Sequence, residues 1–274
     1  MITYKSRRTG AVYEFVESDG NILSSSDFRG WEWSASTING SSRYSRGSRD
    51  LKATLTFSNF DDAQRFFALA DTDTEEGVEA LFSVTGWEMR GNVMAGSINL
   101  ISVDETVAQY EVTFHSDWPV WRKEVGRWSF PVSSGSASGG LDYPHDYPHD
   151  YSPPPSGQRT IDVDALRASD FELIVYGPAS NPSVTIAGVR HEVNCEVPSG
   201  SLLFVNSMNN RTGDEGTPIF IRNSDGSTEN MFKKRGREWD IFSPIQPGSN
   251  LITWSGLFGF DLITYETRGV RPWT

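Results

Sequence analysis

The 274-residue chain reads as a mainly β protein in two halves: an N-terminal β-sandwich-like domain with one helix, and a second, C-terminal β-sandwich. Three observations predict this. Apolar and polar residues alternate over short stretches, closed repeatedly by Gly, Pro, Asp and Asn, while helix-period runs are scarce. Nine Trp, sixteen Phe and nine Tyr supply large rings that favour a pleated, half-buried surface. Mid-chain the alternation gives way to SSGSASGG and then LDYPHDYPHDYSPPP, residues 141–155, which no core strand or helix would carry.

In that tract each proline lacks an amide hydrogen and drives the residue before it into an extended conformation. Tyr143 and Tyr147 therefore sit on a stiff, extended chain, with Tyr151 following, and the glycine and serine beside them supply slack. The tract reads as a joint. The expected division is residues 1–131, a linker over 132–158, and residues 159–274.

The first half opens with Val12, Phe15 and Val16 before Asp19-Gly20-Asn21, which is turn chemistry. Trp31 and Trp33, two apart, share one face of an expected strand. A long polar loop is expected over 34–50, with Arg43, Tyr44, Arg46 and Arg49 set among serine and glycine. Residues 51–57 alternate as a half-buried strand. One helix is predicted near 61–70, with Asn59 as cap, acids in its first turn, and Phe66, Leu69 and Ala70 on one stripe. An acidic, solvated turn over 71–77 follows, then strands over 78–86, 87–93, 96–103 and 108–115.

The second half is almost all β from Phe171. Strands are expected over 171–176, 184–186, 191–197, 201–206, 218–222, 227–233, 249–254 and 260–266, punctuated by Gly177-Pro178, Ala187-Gly188, Asp225-Gly226 and Pro247-Gly248. Strands this short and this closely spaced suit a sandwich or jelly roll.

A formal charge of −12 argues against wrapping nucleic-acid phosphates, though not against letting DNA slide past a repulsive wall. The single cysteine, Cys195, excludes an intrachain disulfide and a thiolate metal cluster. The opening MITYKSRRTG lacks the apolar core of a secretory signal, and no apolar run reaches spanning length. The chain is expected to be made and assembled in the cytosol, with no membrane contact.

Catalytic signatures are missing: no G-x-S-x-G, P-loop, G-x-G-x-x-G or H-E-x-x-H occurs. No catalytic residue, metal ligand or cofactor is assigned. His145 and His149 stand four apart, but Pro144 and Pro148 forbid the helix that would bring them to one face. Asp71, Asp73, Glu75 and Glu76 resemble the start of a calcium loop, yet the twelfth position is Phe82 instead of Glu. Cys195 reads as a buried small apolar residue. Glu32, Asp117, Glu238 and Asp240 would serve as a glycosidase pair only if the fold joined two of them. Trp239 and Trp254 would serve as glycan-stacking platforms, against the plainer alternative of burial.

Four stretches together resemble the distal tail proteins of long-tailed bacteriophages, in the phage tail-component family. They are the N-terminal strands through Ser48-Arg49-Asp50-Leu51, the exit Asp117-Trp118-Pro119-Val120-Trp121, the Asp-Tyr-Pro-His tract, and the second domain from Tyr176-Gly177-Pro178 to Arg271-Pro272-Trp273. The resemblance implies an N-terminal ring-forming domain and a C-terminal galectin-like β-sandwich. It implies a structural virion protein of the tail, not an enzyme: a homohexameric ring joining the tail tube protein to the tail-tip hub or baseplate. A receptor-binding or fibre protein would be a further partner, and DNA would pass through the channel without specific binding. On this reading the loop with Arg43, Tyr44, Arg46 and Arg49 is a subunit contact. Tyr143, Tyr147 and Tyr151 would pack the linker against a domain or a neighbouring subunit. The alternative is an adhesion module that recognises host cell-wall glycans through Trp239 and Trp254.

Overall fold

Alternation becomes strand almost throughout the computed structural model, which describes residues 2–16, 19–24, 34–38, 41–45, 47–103, 107–132, 157–208 and 217–269. The chain forms two compact units, residues 1–123 with 267–274, and residues 124–266.

The first unit contains β1 (Ile2–Lys5), β2 (Val12–Phe15), β3 (Ile22–Ser24), β4 (Ser34–Ile38), β5 (Ser41–Ser45), β6 (Arg49–Phe57), helix α1 (Phe60–Glu75), β7 (Ala80–Val84), β8 (Trp87–Val103) and β9 (Ala108–Ser116). It also holds the start of β10 (Trp121–Phe130). All pairings are antiparallel. β2, β1, β7 and β8 lie side by side, and β8, β9, β6 and β3 form a second run. The 17-residue β8 serves both: Trp87 to Gly91 pair with β7, and from Asn92 onward the strand pairs with β9. The sequence suggested two strands here, over 87–93 and 96–103. The structure keeps one, and takes up the irregularity as register shifts between Met94 and Asn99 and between Leu100 and Ser102.

Helix α1 covers the core. Asn59 caps it, its side-chain oxygen accepting from the Asp62 amide at 2.8 Å, with Asp61 and Asp62 at the positive end of the helix dipole. Its buried residues Ala63, Phe66, Ala70 and Asp73 fall on one stripe. Phe66 is fully buried, with Tyr4, Phe15 and Tyr13 at centroid distances of 5.3, 5.3 and 5.4 Å, all edge-on. Each such pair adds about 0.5–1.5 kcal/mol beyond area burial. Trp121, from the exit segment, is buried in the same core.

The second unit takes the rest of β10 and then β11 (Gly157–Val163), β12 (Asp170–Tyr176), β13 (Ala179–Ser180), β14 (Ser183–Ile186), β15 (Val189–Glu192), β16 (Glu196–Val197), β17 (Leu202–Asn206), β18 (Ile219–Arg222), β19 (Thr228–Asn230), β20 (Gly248–Trp254) and most of β21 (Phe260–Arg268). One sheet runs β19-β18-β17-β12-β21, the other β11-β20-β14-β15. Their inward residues, among them Ile161, Leu173, Val184, Leu203, Ile252 and Phe260, fill one core. That is the expected β-sandwich. Ala187 and Gly188 form the expected tight turn, both with positive φ (48° and 85°), between Ile186 and Val189, which pair directly.

The units divide at Lys123–Glu124, ahead of the tract expected to mark the junction. Phe130, before the tract, stacks on Phe260 at 4.4 Å and shares the second unit's core with Ile161, which lies beyond the tract. Tyr143, Tyr147 and Tyr151 lie outside the described residues, as do Trp31, Trp33, His145 and His149.

Candidate functional site

The residues expected to form a subunit contact do not lie on a simple loop. β4 and β5 form a two-stranded hairpin, with Ala35 opposite Tyr44, Ser36 opposite Arg43 and Ile38 opposite Ser41. The two residues between the last pair are Asn39-Gly40, the preferred sequence of a two-residue hairpin. Among the described residues this hairpin pairs with no other strand. Arg46 lies outside the described residues. Arg49 opens β6, opposite Ser116.

Near the start of β6, Asp50 stands opposite His115 in the β6–β9 register. The His115 Nδ1 lies 2.6 Å from Asp50 Oδ1, and its Nε2 lies 3.2 Å from Asp117 Oδ1. The hydrogen bond to Asp50 raises the His115 pKa above its ordinary value. Partial burial opposes that shift and Asp117 adds to it. Only the doubly protonated ring donates from both nitrogens, so the geometry favours imidazolium. The carboxylates lie on opposite sides of the ring and do not converge on one point. The Asp117 amide in turn donates to Glu79 Oε1 at 3.4 Å. The cluster joins the start of β6 to the exit segment. Neither partner was legible in sequence, because Asp50 and His115 meet only through strand register.

A second polar cluster overturns the solvated acidic turn. Asp71 to Glu75 continue the helix, and Asp73 is fully buried. Tyr4 Oη donates to Asp73 Oδ2 at 2.8 Å and Ser6 Oγ to Oδ1 at 2.7 Å. Arg8 Nε lies 3.4 Å from both Asp73 and Glu76. Burial, then the bond to Asp73, pushes the Tyr4 phenol well above its usual range. The sequence held the signal: Asp73 stands three residues after Ala70 and seven after Phe66, on the buried stripe.

In the second unit Trp239 is 51% exposed, whereas Trp254 is packed edge-on to Phe130 (5.3 Å) and Phe260 (5.4 Å). A Cβ on Gly157 would fall 2.2 Å from the Trp254 ring, so the backbone itself lies against the indole. The two tryptophans therefore sit in unlike settings, one half-open and one occupied. Cys195 is only partly buried, and burial reinforced by Glu196 and Glu229 pushes its thiol up to about 11, unsuited to nucleophilic work. His191 is buried, held neutral by burial, and placed 2.8 Å from the Ile241 carbonyl. Asp240 accepts from the Phe242 amide at 3.1 Å. Glu32 lies outside the described residues, and no group of three His, Cys, Asp or Glu among the described residues is placed to hold a metal. Among the described residues no helix is long and apolar enough to cross a membrane.

No protein-family model matches the chain, and no curated protein matches it. Solved structures do. A chain of the phage p2 baseplate in its activated conformation with Sr aligns over 99% of this chain and 100% of that one, with a TM-score of 0.57 and 10% identity. The same baseplate with Ca gives 0.55 and 10%, with the same coverage. The Dit (gp 19.1) protein of SPP1, described as a paradigm of the hub adsorption apparatus in phages infecting Gram-positive hosts, gives 0.51 and 9% over 98% of this chain and 99% of that one. At these identities the likeness is one of fold, and it runs end to end.

Proposed function

We propose that this chain is a distal tail protein of a long-tailed bacteriophage: a structural virion component, not an enzyme, located at the tail tip. The observation that carries the reading is full-length similarity in both directions, with each of three phage baseplate or hub chains covered by 99% or more. A shared single sandwich would align over half of such a chain. Coverage of 98–99% of this chain takes in both the helix-bearing first unit and the second sandwich.

On this reading six copies form a ring that joins the tail tube to the hub or baseplate and continues the DNA channel. The charge supports it: each copy carries −12, and acidic residues lining a lumen would repel phosphates and let DNA pass without adhering. The β4–β5 hairpin, with Arg43 and Tyr44 and with Arg46 and Arg49 beyond it, is the proposed subunit contact. A strand pair that pairs with no other strand among the described residues offers its edges to a neighbour. The purified protein, viewed by negative-stain electron microscopy at high protein concentration, should give six-fold rings with a central opening. A protein that stays monomeric there, and stays monomeric when mixed with tail tube protein, would sink the proposal.

A further inference from the structure

The outward face of one sheet in the second unit carries an apolar row with an arginine laid over it. On β17, Leu203 and Val205 enter the core, so Leu202, Phe204 and Asn206 take the other side. Register then sets Ile174, Phe204 and Phe220 abreast on β12, β17 and β18, with Tyr176, Leu202 and Arg222 abreast in the next row. Phe204 and Phe220 stack at 4.8 Å and 10°. The Arg222 guanidinium lies 4.9 Å from the first ring centroid and 5.9 Å from the second. No ion pair joins Arg222 to a carboxylate of the described residues. An aromatic pair under an unneutralised guanidinium suits a ligand that brings a ring and a carboxylate together.

The chain itself holds such a sequence close by. A Cβ on Gly259 would fall 3.5 Å from the Val132 amide nitrogen and 3.6 Å from the Tyr176 ring. Val132, the last described residue before the tract, therefore stands beside Tyr176, which is 40% exposed at the rim of this face. Phe220 lies two strands further across, roughly 10 Å at the usual strand spacing. Tyr143 is eleven residues beyond Val132, a reach of up to about 36 Å. The tract offers Asp-Tyr three times, at Asp142-Tyr143, Asp146-Tyr147 and Asp150-Tyr151.

We infer that this sheet face is the docking surface for the chain's own Asp-Tyr-Pro-His tract, with a tract tyrosine against Phe220 and a tract aspartate on Arg222. The inference goes beyond ring assembly and does not depend on it.

Disulfide trapping tests it in the full chain. In a Cys195→Ala background, Phe220→Cys is combined in turn with Tyr143→Cys, Tyr147→Cys and Tyr151→Cys, oxidised mildly, and mapped by peptide mass. At least one combination should close an intrachain disulfide in most molecules. Interchain dimers, which would make a second copy the occupant, overturn the inference, and so does the absence of any cross-link. Because Phe220→Cys disturbs a packed ring, a second measurement leaves the sheet intact. Residues 141–151 are replaced by an equal length of Gly and Ser, and hydroxyl-radical oxidation of Phe220 is compared with the parent. A several-fold rise is expected; unchanged oxidation overturns the inference.

Discussion

Tyr4 on the first strand donates a 2.8 Å hydrogen bond to Asp73, 69 residues later on the last turns of the helix, and both are fully buried. A carboxylate near a helix C-terminus opposes the dipole, so its place depends on what surrounds it. Ser6 and Arg8 complete that surrounding, and the whole group ties β1 to α1.

Asp73→Ala should therefore be severe. It strips the partner from two buried hydroxyls and from Arg8, a loss of about 3–5 kcal/mol when one side of a buried pair is removed. Tyr4→Phe removes one hydrogen bond and should cost less, about 1–2 kcal/mol. Urea denaturation followed by circular dichroism would rank the two. An Asp73→Ala midpoint equal to the parent's would refute the role.

His115 predicts a pH dependence of definite sign. Its folded pKa is raised, so the stabilisation is fully present below the ordinary histidine value of about 6.5 and is lost as pH climbs through the folded value. Proton NMR of the imidazole should give a pKa above 6.5. Asp50→Asn should lower it more than Asp117→Asn, since the Asp50 bond is the larger cause. Both carboxylates are mostly exposed, so added salt should shrink the effect. A titration insensitive to Asp50→Asn would contradict the geometry.

Gly157 has no room for a side chain. Gly157→Ala would push a methyl into the Trp254 ring and should destabilise the second unit by about 1–3 kcal/mol. Trp254→Leu in the same chain should recover part of that loss, because the clash goes with the indole. A double-mutant cycle measures this, and strict additivity would show that the two residues do not meet.

The hairpin carries the assembly prediction. Replacing residues 34–45 by a short turn should abolish oligomers while leaving the first unit folded, since β4 and β5 pair with no other described strand. Light scattering reads the first outcome and near-ultraviolet circular dichroism the second. An unchanged oligomer would remove the hairpin from the interface.

The strands of the second unit were legible wherever alternation had a turn residue at each end, as in Ser183–Ile186 and Ile219–Arg222. β10 and β11 were not. Trp121–Phe130 mixes Arg, Lys, Glu and Gly with its rings, and Gly157–Val163 buries only Gly157, Ile161 and Val163, too few apolar residues to show a period. The β4–β5 hairpin escaped notice because six of its ten strand residues are serine or threonine, and Ala35, Ile38 and Tyr44 are too few to show a strand period. Of the proposed site, Arg43 and Tyr44 stood out by composition. The His115 cluster could not, since a register slip of one residue would separate its members.

The long strand β8 has a consequence for how the first unit comes apart. Two runs of strands share this one continuous backbone, so opening the β7 pairs at Trp87 to Gly91 loosens the strand beside Asn92, where the β9 pairs begin. The unit should melt as a single block, its β8 amides exchanging with deuterium only when everything around them lets go. Such a strand would act as a tie-beam between the two runs it serves.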